Sequence, residues 1–141
     1  MKKKIFFSIL LLMIIGAIGA YYYTFHMPHK NTFNLKPEYT VEAENLYSSF
    51  DDNEDEANKK FLGKIIEVKG KVVGVKKFNN NYEISLLDDM GGVTCLVDSN
   101  YAVQQKAILD NIKADDIIKI KGQCNGYLMG VKLDRCVVVT K

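Results

Sequence analysis

The sequence has little of what catalytic and metal sites usually need. It contains no tryptophan, two prolines, three cysteines and two histidines among its 141 residues. No two cysteines are spaced as Cys-x-x-Cys, and both histidines, His26 and His29, precede every segment with strand periodicity. Two imidazoles alone do not make a zinc site, which takes four protein ligands or three plus water. We therefore expect no catalytic residue, no metal site and no cofactor, and we do not expect an enzyme.

An excess of one charge is also missing. The formal net charge is +2, and residues 61–141 carry 12 basic and 9 acidic side chains in mixed order. A dedicated nucleic-acid-binding domain usually has a dense patch of lysine and arginine. The composition therefore disfavours a polyanionic ligand without excluding it.

One long hydrophobic run is present, from Ile5 to Tyr23, and it contains no charged residue. As a helix it would be roughly 28 Å long, close to the thickness of the hydrocarbon core of a bilayer. Lys2, Lys3 and Lys4 precede it. We therefore predict a single-pass membrane anchor with a cytoplasmic N-terminus and an extracytoplasmic C-terminal domain.

The same run also has the small residues of a cleavable secretory signal. A cut after Gly19 would place Ala17 three positions before the cleaved bond, and the product would be secreted or periplasmic. Against cleavage, the run continues into Tyr21, Tyr22 and Tyr23, which suit the membrane interface. Cys95 is the first cysteine, so we expect no lipoprotein anchor at this run.

The next two segments are predicted to be a linker and a helical region. Residues 24–37 are polar, contain both prolines and show no periodicity, which predicts a linker. Residues 38–62 are predicted to be helical because two apolar pairs are spaced four residues apart, Leu46 with Phe50 and Ala57 with Phe61. Residues 51–53 are expected to divide this region into two helices.

An acidic cluster lies at the predicted break: Asp51, Asp52, Glu54, Asp55 and Glu56. It lacks the glycine and the distal glutamate of a calcium-binding loop. We expect these carboxylates to stabilise the start of the second helix and to form a solvated face.

Residues 63–141 are predicted to form five strands and one helix. Apolar and polar residues alternate over 64–75, 82–87, 93–97, 118–124 and 131–139, and residues 100–112 have helical spacing, with Val103 paired with Ala107 and Ile108 with Ile112. Val73 and Val75 shift the apolar phase of the first strand, which indicates a bulge beside Gly70 or Gly74. Three strands, a helix and two strands is the order of the OB-fold, a five-stranded Greek-key barrel.

Two stretches also carry a family resemblance. Residues 58–72, reading NKKFLGKIIEVKGKV, and 122–137, reading GQCNGYLMGVKLDRCV, resemble the tRNA-anti-like group of OB-fold domains. The resemblance covers about residues 43–139. It implies a bacterial protein that is membrane-anchored or exported, in a group whose members are mostly uncharacterised, and the group's name does not establish tRNA binding. Gly130 stands where this group is expected to have an acidic residue.

The cysteines leave two alternatives open. Cys124 and Cys136 lie on neighbouring predicted strands, and an extracytoplasmic location would permit a disulfide between them. Equally, both could be small buried apolar residues, as free cysteines often are. Cys95 has the parity of Val93 and Val97 and is predicted to be in the core.

The predicted function is a membrane-tethered binding module for an unknown protein, peptide or glycan. The candidate ligand-binding residues are Lys69, Lys71, Lys76, Lys77, Tyr82, Asn125, Tyr127 and Lys132. The turn from Asn125 to Gly130 joins the last two strands, at one of the loops that OB-folds use for ligands.

The alternative is a domain that binds single-stranded nucleic acid. Such OB-folds combine a positive groove with aromatic side chains on the exposed sheet face. The predicted outward residues here are Glu83, Ser85, Leu87, Thr94 and Leu96, which include no aromatic residue. Outward lysines on strands also serve to keep sheet edges soluble.

Overall fold

The computed structural model describes residues 11–19, 21–22, 32, 34–88 and 91–140. The chain divides into two compact units, residues 1–30 and 31–141. In the first unit, residues 11–19 are helical with exposed side chains. No helix in the described part of the chain is long and apolar enough to cross a membrane. Much of the predicted span, together with both histidines, lies outside the described residues, so the anchor stays a prediction.

The second unit is mainly β-structure. Its strands are β1 (Tyr39–Glu42), β2 (Ile65–Phe78), β3 (Asn81–Leu86), β4 (Val93–Val97), β5 (Ile117–Tyr127) and β6 (Val131–Thr140). Its helices are α1 (Ala43–Asp52), α2 (Glu54–Phe61), α3 (Ser99–Gln104) and α4 (Lys106–Leu109).

Five strands close into the predicted barrel. The order is β2-β3-β4-β6-β5, and β5 returns to pair with β2. All pairs are antiparallel except β4 with β6. One strand can join both ends of the sheet because β2 is long: its first half pairs with β5 and its second half with β3. The OB-fold prediction is confirmed at this level.

The helical prediction for residues 38–62 was wrong over its first few residues. Tyr39–Glu42 is a strand, β1, which pairs in parallel with β2 from Ile66 to Lys69. The side chains of this strand alternate as expected for β-structure: Tyr39 and Val41 are half-buried against the core, whereas Thr40 and Glu42 are exposed. The spacing of apolar residues four positions apart describes only local structure. It cannot predict that residues 39–42 pair with a strand that begins about 25 residues later.

The predicted break between two helices is confirmed. Helix α1 ends at Asp52, and the side chain of Asn53 accepts a hydrogen bond of 3.2 Å from the backbone N–H of Glu56, at the start of α2. The predicted apolar pairs are all buried: Leu46, Phe50, Ala57 and Phe61. The two helices therefore contribute one continuous apolar face to the barrel core.

The bulge in the first barrel strand is also confirmed. The register of β2 against β3 shifts between Val72 and Gly74. Before the shift, Ile66, Val68 and Val72 are fully buried. The extra residue bends the strand, which lets β2 leave β5 and follow β3.

The helix predicted over residues 100–112 is broken, and three of the four apolar residues that predicted it are exposed. The segment consists of two short helices that meet at Gln105. Val103, Ala107 and Ile108 are exposed, whereas Ile112 is buried, as are two residues outside the predicted pairs, Ala102 and Leu109. The break at Gln105 changes the helical phase between α3 and α4. The spacing of Val103 and Ala107, which lie on either side of the break, therefore did not identify a buried face.

Candidate ligand-binding surfaces

The predicted site residues do not form one site. They fall into three regions of the barrel, which we name the hairpin groove, the charged notch and the β2–β3 tip. Two further predicted residues, Asn125 and Tyr127, have structural contacts instead. Each region is positioned by a turn or by a change of strand partner.

The hairpin groove lies between the β3–β4 loop and the β5–β6 turn. Two cavities of about 360 and 340 Å³ share Asp88 and Gly91. The groove is lined by Tyr47, Leu87, Asp88, Gly91, Gly92, Thr94, Leu128, Met129, Gly130 and Lys132. The backbone N–H of Val131 donates to the carbonyl of Gly92 at 3.0 Å, so the two loops are joined at the floor of the groove.

The β5–β6 turn presents an apolar edge to this groove. Leu128 is 68% exposed and Met129 is 83% exposed. The turn is closed by a hydrogen bond of 2.9 Å from the N–H of Leu128 to the carbonyl of Gly130. Two large apolar side chains held at the tip of an ordered turn are typical of a contact surface.

Lys132 is the one predicted lysine that lines the hairpin groove. It pairs in register with Thr94, which in turn pairs with Ser85, so the three side chains form one row across the outward face of the barrel. All three side chains of this row are polar.

Tyr127 does not line the groove and instead packs against α1. Its ring stacks on that of Phe50 with centroids 6.0 Å apart, and its hydroxyl donates to Oδ1 of Asp51 at 3.2 Å. Its hydrogen bond with Tyr47, followed by burial, raises the pKa of Tyr127 to about 12. Tyr127 therefore attaches α1 to the β5–β6 hairpin.

Asn125 has a comparable role within the hairpin. Its side-chain amide donates to Oδ2 of Asp134 on the neighbouring strand at 2.8 Å. This contact lies outside the two cavities of the hairpin groove. The predicted turn therefore lines the hairpin groove through Leu128, Met129 and Gly130 and not through Asn125.

The charged notch lies where β2 changes partner. On one edge, β2 pairs with β1 as far as Lys69 and with β3 from Val72 onwards. The gap between them is a cavity of about 510 Å³. Its charged lining residues are Glu42, Glu44, Lys69 and Lys71, and its apolar ones include Leu87 and Ile117.

The lysines of the notch are paired with carboxylates. Nζ of Lys69 lies 3.4 Å from Oε1 of Glu42, and Nζ of Lys71 lies 2.6 Å from Oδ1 of Asp115. Both pairs are solvent-exposed, so each contributes little to stability. Both lysines were among the predicted ligand-binding residues, but nothing in the sequence indicated their acidic partners.

The β2–β3 tip holds the remaining predicted residues. Nζ of Lys77 lies 5.0 Å from the ring centroid of Tyr82, and Lys76 lies 3.9 Å from Glu83. Tyr82 itself is buried, and its hydroxyl donates to Asp110. It is a core residue with a polar end and not an exposed stacking platform.

Hydrogen bonds at this tip order the charges around Tyr82. Asp110 accepts from Lys106 at 2.6 Å as well as from Tyr82. The bond from Lys106, and then the bond from Tyr82, lowers the pKa of the Asp110 carboxyl. The hydrogen bond to Asp110 correspondingly raises the pKa of Lys106.

Sequence reasoning missed Phe78 at the same tip. It is the last residue of β2 and is 74% exposed. Asn79 and Asn80 follow with φ angles of 46° and 65°, which form the tight turn of the hairpin. The signal was available in the sequence: an aromatic residue directly before a turn of asparagines ends a strand and need not enter the core.

All three cysteines are free and buried. Cys124 pairs in register with Leu133, so Cys136 is not opposite to it, and no disulfide joins the two. Burial, and then a hydrogen bond with Cys95, raises the pKa of Cys136 well above its usual range. Burial also raises the pKa of Cys124. These thiols are core groups.

Within the described residues, no group of three or more histidine, cysteine, aspartate or glutamate side chains is arranged to hold a metal ion. The expectations that the protein has no cofactor and is not an enzyme stay predictions.

The fold is similar to that of solved OB proteins. A provisionally assigned nucleic-acid-binding lipoprotein of Klebsiella pneumoniae superposes with a TM-score of 0.59 at 18% identity, covering 72% of this chain and 91% of that chain. A provisionally assigned aspartyl-tRNA synthetase of Leishmania major superposes with a TM-score of 0.50 at 12% identity, covering 89% of this chain and 26% of that chain. At such identities the likeness concerns the fold alone.

Sequence comparison identifies the family of the chain. No curated protein matches it. The model of the tRNA_anti-like family, in contrast, matches residues 1–138. The chain therefore belongs to the tRNA_anti-like family.

Proposed function

We propose that this protein is a membrane-tethered binding module whose hairpin groove takes an extended polypeptide segment. The observation that carries the proposal is the composition of the groove. It places the exposed side chains of Leu128 and Met129 beside both a carboxylate, Asp88, and an ammonium group, Lys132. Polypeptides present apolar and oppositely charged groups in the same short stretch, and this surface complements them.

The apolar turn would supply the anchors of such a contact. Methionine is unbranched and polarizable, so Met129 can adapt to the shape of different side chains. A few well-placed apolar residues generally carry most of the affinity of a protein interface. Leu128 and Met129 are in position for this because the turn that holds them is itself ordered.

The distribution of charge favours a polypeptide over a polyanion. Lys69, Lys71 and Lys76 each lie within 4.0 Å of a carboxylate. A nucleic acid would have to displace these acids or tolerate them beside its phosphates. Affinity for nucleic acid comes mainly from lysine and arginine that neutralise phosphates. These three lysines offer little such attraction.

The proposal can be tested by selecting peptides from a displayed random library against the full-length protein. We expect enriched sequences whose binding falls at least tenfold in a Leu128→Ser/Met129→Ser variant, a loss typical of removed interface anchors. Val103→Ser is the matched control, because Val103 is equally exposed but lies outside the groove. Failure to enrich any sequence, or an equal loss in the control, would reject the polypeptide function.

A second candidate function is binding of single-stranded nucleic acid at the β2–β3 tip. The observation that favours it is Phe78, an exposed aromatic ring next to Lys77 in the chain. Stacking of one base on an aromatic side chain contributes about 1–3 kcal/mol. The similar Klebsiella pneumoniae structure is of a protein provisionally assigned as nucleic-acid-binding.

This second function is tested by titrating the full-length protein with labelled single-stranded DNA and RNA at low and moderate salt. Binding that weakens in Phe78→Ala but not in Met129→Ser would support it. No binding at concentrations up to about 100 μM, the weak end of non-specific affinities, would rule it out.

We also propose the location. The apolar run from Ile5 to Tyr23 would anchor the chain, with the N-terminus in the cytoplasm and the barrel outside, or would be cleaved to release a secreted or periplasmic domain. External protease added to cells without their outer layer should digest the barrel. A barrel protected under these conditions would show that the orientation is wrong, and the size of the mature chain distinguishes anchor from signal.

A further inference from the structure

The charged notch is a second cavity that the polypeptide function does not require. It lies beside α1, at the edge of β2 between β1 and β3. Its volume of about 510 Å³ is within the usual range for small-ligand sites. What it could bind is set by the groups around it.

The floor of the notch is closed by a tight contact. A Cβ atom at Gly70 would lie 2.8 Å from that of Ala43, so glycine is needed there for the first turn of α1 to approach β2. The N–H of Leu87 donates to the carbonyl of Lys71 at 3.1 Å, which fixes the opposite side. The cavity is therefore bounded by ordered backbone on both sides.

The side chains that line this cavity include two lysines and two glutamates, and Asp115 adds a third carboxylate beside Lys71. Lys69 and Lys71 are two residues apart on one strand, so their side chains leave the same face of β2. Glu42 and Glu44 stand on the other wall, at the end of β1 and in the first turn of α1. Lys69 is 3.4 Å from Glu42, and both side chains are about half-exposed, so water already competes for this pair.

These charges select a zwitterion. A polyanion would meet Glu42 and Glu44, and a metal cation would meet Lys69 and Lys71. A molecule with one ammonium and one carboxylate a few ångströms apart can satisfy both walls at once. Its carboxylate would compete with Glu42 for Lys69 and with Asp115 for Lys71, in exposed ion pairs that contribute little to stability. Its ammonium group would compensate the charge of Glu42, which a simple anion cannot do.

The lining also has three apolar side chains, Ala43, Leu87 and Ile117, and the uncharged amide of Asn45. Leu87 is packed against the core, and Ile117 is 61% exposed at the start of β5. Together with Ala43 and Gly70 they form the apolar part of the notch. A ligand with an aliphatic side chain would bury it there.

We propose that the charged notch binds an α-amino acid or a dipeptide with free termini and an aliphatic side chain. The carboxylate lies between Lys69 and Lys71, and the ammonium group faces Glu42 and Glu44. A free amino acid and a dipeptide both carry one ammonium group and one carboxylate, so either could be the ligand. The site is separate from the polypeptide function of the hairpin groove, which it touches only at Leu87.

The experiment is a titration of ¹⁵N-labelled full-length protein with three probes: glycyl-leucine, leucine and N-acetyl-glycyl-leucine amide. We expect saturable shifts at the amides of Ala43, Gly70 and Lys71 with at least one of the first two probes. The blocked peptide should bind at least tenfold more weakly, because it lacks both charges. The stronger of the two free probes identifies the source of the ligand.

Variants locate the binding. Lys71→Met and Glu44→Gln should each weaken it about tenfold, since each removes one charge-assisted contact. Lys76→Met is the matched control, because Lys76 lies on the same strand in an ion pair of its own but outside the notch. Unchanged resonances elsewhere in the spectrum show that the variants fold.

Three results would overturn the proposal. These are no saturable shift at 10 mM of either free probe, equal binding of the blocked peptide, and equal weakening by Lys76→Met. None of them concerns the hairpin groove, whose test uses displayed peptides and the Leu128→Ser/Met129→Ser variant. The two proposals can therefore fail separately.

Discussion

Gln105 binds the backbone of Val138 as a neighbouring strand would. Its side-chain Nε2 donates to the carbonyl of Val138 at 2.7 Å, and the N–H of Val138 donates to its Oε1 at 2.8 Å. Both residues are buried. The amide lies at the junction of α3 and α4 and attaches this helical segment to β6.

We therefore predict that Gln105→Ala is strongly destabilising. It leaves one donor and one acceptor of Val138 buried without a partner, at a cost of about 1–3 kcal/mol each. The free energy of unfolding, measured in urea, should fall by about 3 kcal/mol. Gln104→Ala, whose side chain makes an exposed bond to Asn100, should change it by less than about 0.5 kcal/mol. Equal effects of the two variants would contradict the role of Gln105.

The corrected buried face of α3 and α4 gives a second prediction. Leu109 is 1% exposed and Val103 is 71% exposed. Leu109→Ala should lower the free energy of unfolding by about 2–5 kcal/mol, because it leaves a cavity in the core. Val103→Ala should have an effect of less than about 0.5 kcal/mol. A larger loss of stability in Val103→Ala than in Leu109→Ala would show that Val103, and not Leu109, is in the core.

A third prediction concerns the contact between β5 and β6. A Cβ atom at Gly122 would lie 2.5 Å from Sγ of Cys136 and 3.1 Å from the carbonyl oxygen of Asp134. Gly122→Ala should therefore destabilise the protein by about 1–3 kcal/mol through overpacking. Adding Cys136→Ala should recover part of this loss, because the smaller side chain makes room. Strictly additive effects in the double-mutant cycle would show that the two residues do not interact.

A fourth prediction follows from the raised pKa of Tyr127. The folded value of about 12 lies above the ordinary value of 10.0, so the folded protein favours the protonated phenol. The stabilisation is fully present below pH 10 and is lost as pH rises from 10 to 12. Stability should fall more steeply over this range in the wild type than in Tyr127→Phe, as followed by urea unfolding. Parallel pH curves for the two proteins would exclude Tyr127 as the source.

Much of the barrel could be predicted from local patterns. The alternation through Ile66, Val68 and Val72 identified the buried side of β2. The phase change predicted a bulge beside Gly70 or Gly74, and the structure has it between Val72 and Gly74. These predictions succeeded because the period of a strand is a property of its own backbone. The break at Asn53 succeeded for a similar reason, since a capping side chain acts within three residues.

The candidate sites could be predicted only in part. Lys69 and Lys71 could be placed on one face of a strand because they are two residues apart. Their ion-pair partners, Glu42 and Asp115, lie far away in the sequence and could not be predicted. Tyr127 was predicted as a ligand-binding residue, and its contacts with Phe50 and Asp51 depend on the docking of α1. The positions of such partners depend on how separate elements pack.

The sequence by itself determined which side chains of the five barrel strands face the core and where the chain turns. Only the tertiary structure decided that residues 39–42 form a sixth strand, that Leu109 rather than Val103 is buried, and that Cys136 meets Cys95 instead of Cys124. The physical reason is the range of the interactions. Backbone geometry fixes a period over a few residues, whereas strand register and helix docking join residues that are dozens of positions apart.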